Sequence, residues 1–123
     1  MGERKKKEEL NDLVDEITVD AYNDDEQLCA FRQVFEDEVA LPMEAVLIGE
    51  PVEVLSIDYD GNERRGLIAR CRRGSSVYTV AAQDLTFPDG SNASHFIAAY
   101  RLWLGIEPYP RVTQRQKAGE DDL

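Results

Sequence analysis

Carboxylates are the reactive groups this chain offers in quantity: 25 Asp and Glu against 14 Lys and Arg. From Glu8 to Pro42 there are 12 acids and the single base Arg32, while Arg4, Lys5, Lys6 and Lys7 crowd the start. The densest groups are Asp20 with Asp24-Asp25-Glu26, and Glu36-Asp37-Glu38. Such clusters repel themselves, so folding keeps them where water, a partner or a cation screens the charge. Hard oxygen donors in excess suit Ca²⁺, which takes roughly 6–8 oxygens from carboxylates, carbonyls and water. Asp20, Asp24, Glu26, Asp37 and Glu38 are the leading candidate ligands. The competing reading is an acidic interaction module that recognises a basic protein or mimics nucleic-acid charge.

A secondary pair, Asp58 and Asp60, lies in Asp58-Tyr59-Asp60-Gly61-Asn62, which imitates the first, third and fifth ligands of an EF-hand loop. The imitation stops there. The sixth position is Glu63 instead of Gly, and the twelfth is Ala69 instead of a bidentate Glu. The flanks alternate like strands, which makes this segment a hairpin tip. Catalysis is not expected: no nucleophile elbow, zinc-ligand spacing or phosphate-cradling glycine loop is present. The one histidine, His95, falls at the start of a predicted helix. Cys29 and Cys71 are far apart and lack CxxC spacing, so both are read as reduced thiols packing as small apolar groups.

Positioning these groups requires three blocks of structure. In the first, Leu10, Val14, Ile17, Ala21, Leu28, Phe31 and Phe35 recur at spacings of three, four and seven, one apolar stripe on a helix. Asn23 with Glu26 three residues on forms a capping-box pattern. The block therefore splits into helices of about 8–21 and 24–37 around a bend at Tyr22-Asn23. Asp24, Asp25 and Glu26 then sit in a first turn, where the helix dipole favours negative charge. Asp37 and Glu38 fall where the second helix runs out before Pro42; the dipole is unfavourable to carboxylates there, which invites a cation.

The second block alternates from about Met43 to Phe87, with turns at Asp60-Gly61-Asn62 and Arg72–Ser75. Four or five short strands in that length predict a small half-open SH3-like barrel. The third block is a helix capped by Ser94, stopped by Gly105 and covering one end of the barrel. The fold expected is α+β: two N-terminal helices, a small antiparallel barrel and a covering C-terminal helix. Residues 8–105 make one domain between a flexible start, 1–7, and a flexible tail, 106–123.

Charge and composition set the partners. A net charge of −11 and a pI near 4.4 argue against nucleic acid and anionic lipid as partners. No apolar run approaches a membrane span, and the basic, polar start is unlike a signal sequence, so a soluble cytoplasmic protein is expected.

Several segments resemble a bacterial calcium-binding family typified by cyanobacterial CcbP. They are Glu16–Gln27, Phe35–Pro42, Val46–Leu55, Asp58–Gly61 and Ala98–Gly105, in that order along the chain. The resemblance implies a small acidic cytosolic protein that buffers Ca²⁺ without EF-hands, its helices packed on a small β-barrel. It places metal binding on the Val19–Tyr22 and Asp24–Glu26 segments and on Asp37 and Glu38.

Overall fold

A computed structural model describes residues 2–109. Helix α1 spans Gly2–Ile17 and α2 spans Asp24–Glu38. Helix α1 starts six residues earlier than the apolar stripe suggested and stops four residues sooner. β-branched Thr18 and Val19 are poor helix formers. The Thr18 hydroxyl also turns back to donate to the Val14 carbonyl at 2.8 Å. Leu10, Leu28, Phe31 and Phe35 from the predicted stripe are buried.

Five strands follow: β1 Met43–Leu47, β2 Glu50–Tyr59, β3 Leu67–Arg73, β4 Ser76–Ala81 and β5 Leu85–Thr86. They form one antiparallel sheet in the order β4-β3-β2-β1-β5. The sheet is not closed. Strands β4 and β5 are its edges and share no ladder, so the closure that an SH3-like barrel calls for is absent from the pairing. With only two residues, β5 is too short to serve a second neighbour, and Pro88 just beyond it lacks a donor. Strand β3 runs on to Arg73, which shortens the expected Arg72–Ser75 turn to Gly74-Ser75.

One irregularity decides which side chains reach the helices. Val54 pairs with Cys71 and Ser56 with Arg70, which leaves Leu55 without a partner, a β-bulge. Each inserted residue reverses the in–out alternation. Val52 and Val54 are buried before the bulge, and Ile57 after it. Tyr59 therefore follows Ile57 onto the helix side, while Ser56 and Asp58 face outward, where Ser56 Oγ donates to Asp58 Oδ2 at 2.8 Å.

Helix α3, Asn92–Leu104, packs against α1, α2 and the 3₁₀ turn at Ala82–Asp84. Its cap is Ser91, three residues before the expected Ser94: Ser91 Oγ accepts the Ser94 N–H at 3.1 Å. Gly105, left-handed at φ 84°, ends the helix as predicted. Buried Arg101 ties α3 to the sheet rim by donating to the Leu85 carbonyl at 3.4 Å.

Candidate metal centre

The connection from α1 to α2 is built by its own polar groups. Ala21 N–H donates to the Thr18 carbonyl at 3.0 Å, closing a turn over Thr18–Ala21. Asn23 Oδ1 accepts the Glu26 N–H at 2.8 Å, and Glu26 Oε1 accepts the Tyr22 N–H at 2.7 Å. The predicted capping box therefore forms, and it fixes one oxygen of Glu26 against the backbone. Asp20 and Glu26 line a common surface hollow of about 470 Å³ with Ile17, Val19, Tyr22 and Cys29. Cys29, expected in the core, is exposed there; Cys71 is buried and both are free thiols. Burial pushes the Cys71 thiol pKa up.

The turn from β2 to β3 is a second acidic locus. Asp60 Oδ1 accepts the Asn62 N–H at 2.9 Å, and Asp60 Oδ2 lies 3.3 Å from Arg65 Nη1. Asn62 Oδ1 in turn accepts from the Arg64 and Arg65 amides at 3.0 and 3.2 Å. This is a polar hairpin tip held by short side-chain turns, as the sequence suggested.

Tyr59 joins the two loci. Its hydroxyl donates to Asp25 Oδ1 at 2.6 Å. That bond is the main cause that holds the phenol pKa well above its usual range; desolvation and the negative charges of Asp25 and Glu63 add to it. Asp25, Tyr59 and Glu63 thus stand together where the two loci meet; Asp25 falls inside the Asp24–Glu26 segment singled out from the sequence, while Tyr59 and Glu63 are not among the candidates chosen there. Asp25 shares a flank of α2 with Cys29, one turn on, and only the bulge at Leu55 brings Tyr59 round to meet it.

Asp37 and Glu38 lie apart. They end α2, roughly 20 Å along the helix from Asp24 at about 1.5 Å per residue. Asp37 Oδ1 accepts from Gln33 Nε2 at 3.0 Å, and the Glu38 carbonyl accepts from Asn92 Nδ2 at 3.3 Å. Arg32 pairs with neighbouring Glu36. Among the described residues, no three Asp, Glu, His or Cys side chains are gathered as a ready metal cage. The donors fit a hard cation by chemistry, being carboxylates, amide oxygens and backbone carbonyls. They stand near one another on two short segments without converging on one point.

An acidic α+β domain whose donors are all hard oxygens has the character of a divalent-cation binder. The CcbP family model, described as calcium binding, matches residues 11–104, and the chain belongs to that family. Two solved structures share the fold. One, described as a calcium binding protein in the calcium-binding form, superposes with a TM-score of 0.66 at 20% identity, over 80% of this chain and 90% of its own. The crystal structure of Anabaena CcbP superposes with a TM-score of 0.62 at 22% identity, over 74% of this chain and 85% of its own. No curated protein matches the chain. No helix among the described residues is long and apolar enough to cross a membrane.

Proposed function

We propose that this protein binds and buffers Ca²⁺ in the cytoplasm, without catalysis, on the face where the α1–α2 connection meets the β2–β3 turn. The observation that carries this reading is the Tyr59–Asp25 hydrogen bond, which brings two carboxylate-rich segments together across the fold. Asp20, Asp24, Asp25 and Glu26 would hold the ion, with Asp60 and Glu63 in the adjoining turn and Asp58 near the end of β2, facing outward. The ion supplies the positive charge that these crowded acids lack. The chain's part is to present the acids: the capping box fixes Glu26, and the phenol of Tyr59 gives Asp25 a proton donor meanwhile. Because the donors do not converge beforehand, gathering them costs free energy, which supports moderate-to-low affinity suited to a buffer. The site is unlike an EF-hand, since strands β2 and β3 flank the Asp58–Asn62 segment and Ala69 stands at the twelfth position. Asp37 and Glu38 form a separate, second locus.

The test is titration calorimetry with Ca²⁺ in the presence of Mg²⁺. Flexible carboxylates tolerate the irregular shell of Ca²⁺, whereas Mg²⁺ requires near-octahedral geometry and gives up water reluctantly. Ca²⁺ binding is expected to persist in millimolar-order Mg²⁺. Equal displacement by both ions would reduce the site to a diffuse counterion cloud. The interaction-module reading has one observation in its favour: Val19 and Tyr22 are 70% and 84% exposed beside the acids. It requires tight binding of a basic protein together with weak, unselective binding of divalent ions.

A further inference from the structure

Both halves of the candidate site are moored to α3, a helix that contributes no acid of its own. Trp103 Nε1 donates to Gln27 Oε1 at 2.6 Å, and Gln27 Nε2 donates to the Ala21 carbonyl at 3.2 Å. This chain of bonds runs from α3 through α2 to the α1–α2 connection, between Asp20 and Tyr22. One turn earlier on α3, Tyr100 Oη accepts the N–H of Leu67, the residue that opens β3 directly after the acidic turn. Backbone and phenol are close here: a Cβ on Gly66 would lie 2.4 Å from Tyr100 Oη, and Gly66 has φ +69°. The two rings stack with centroids 6.0 Å apart and planes 18° apart. Phe31 of α2 packs on both, at 5.5 Å from Tyr100 and 5.6 Å from Trp103.

A core built for burial alone would be served by phenylalanine at both positions. Here each ring has a polar atom, and each polar atom is spent on one half of the site. We propose that Tyr100 and Trp103, the latter through Gln27, are positioning residues for the metal site, setting the distance between its two acidic segments. This rests on the calcium reading above. It has a spectroscopic consequence, because Trp103 is the chain's single tryptophan and its N–H is two hydrogen bonds from the connection that carries Asp20.

The experiment compares wild type with Trp103→Phe, Gln27→Ala, Tyr100→Phe and the double variant Trp103→Phe/Gln27→Ala. Ca²⁺ affinity is measured by calorimetry, and melting in chelator confirms that each variant is folded at the titration temperature. Each single change is expected to weaken Ca²⁺ binding at least about threefold, the scale of one lost hydrogen bond. The double variant should bind within about twofold of Gln27→Ala alone, since both changes cut the same chain. Trp103 emission in wild type should shift with the calorimetric midpoint, and Gln27→Ala should lose that shift while calorimetry still detects binding. Wild-type affinity in Trp103→Phe and Gln27→Ala, or a fluorescence shift that survives Gln27→Ala, overturns the positioning role and leaves the calcium site standing. A wild-type protein that binds no Ca²⁺ overturns the functional reading, and this one with it.

Discussion

Asp25 lies in the first turn of α2, where the dipole favours a carboxylate, yet its hydrogen-bond partner comes from the sheet 34 residues away. A phenol that donates to a carboxylate stabilises the pair without neutralising it, so the charge stays available for a cation. Asp25→Asn removes that charge at nearly constant shape. It is expected to lower Ca²⁺ affinity by about tenfold or more, equivalent to about 1.4 kcal/mol. Asp37→Asn with Glu38→Gln should instead reduce the number of ions bound and leave the affinity of the Asp25 site unchanged; calorimetric stoichiometry separates the two results. Tyr59 sets a pH dependence of definite sign. Its pKa is raised in the folded protein above the ordinary value of 10.0. Below that value both folded and unfolded chains keep the proton, and the Tyr59–Asp25 bond contributes in full. Above it the unfolded chain deprotonates first, so the contribution is lost as pH climbs toward the folded-state value. The stability difference between wild type and Tyr59→Phe should hold constant near neutrality and shrink above about pH 10. Urea melts at stepped pH measure it, and a difference that grows with alkalinity contradicts the bond's assignment.

At the scale of elements, the β1–β2 hairpin turns through Ile48 and Gly49 at φ 51° and 78°. Left-handed backbone suits glycine and asparagine and strains a β-branched residue. Ile48 is 87% exposed, so its side chain recovers little by burial. Ile48→Asn should stabilise the protein by about 1 kcal/mol and raise Tm by roughly 4 °C, read from thermal melts; an unchanged or lower Tm would mean the turn relaxes at no cost. This hairpin also shows what the sequence makes legible. Gly105 marked the end of α3 because its positive φ leaves a glycine in the sequence, whereas Ile48 carries a positive φ with no such signature. The capping box of Asn23 and Glu26 is equally local, and it formed. The Leu55 bulge is different. Nothing in Val52–Tyr59 announces it, since the extra residue exists only relative to β3 across the ladder. Straight alternation put Asp58 with Val52 and Val54; the bulge turns Asp58 outward and sends Tyr59 to α2. Tyr59 was missed for that reason, whereas the acidic segments themselves, Asp25 among them, were visible from charge alone. The sheet's failure to close was hidden in the same way, because it depends on how far β5 extends beside its neighbours.

Over the whole molecule the charge is divided. Residues 8–42 carry 12 acids and one base, while residues 64–83 carry five arginines and no acid. Three of those arginines, Arg65, Arg72 and Arg73, pair with Asp60, Glu53 and Glu50 on open surface, where each pair contributes little to stability. The helical side thus keeps its excess of negative charge, and self-repulsion there works against the compact state. Two kinds of relief differ in form. Monovalent salt screens gradually, with a Debye length near 10 Å at about 0.1 M and shorter above it. A bound ion acts by mass action and saturates. In chelator, Tm should therefore climb smoothly as KCl is added. At fixed ionic strength Ca²⁺ should add a saturable increment on top, about 2.7 kcal/mol when free Ca²⁺ is about 100 times Kd, or roughly 10 °C in a domain this size. The comparison that decides is Mg²⁺ at the same ionic strength. A smaller increment with Mg²⁺ identifies a site with a preferred coordination shell. Equal increments from the two ions would show that the acids act only as a charged surface, and no increment from either would return the acidic face to the recognition of a basic protein.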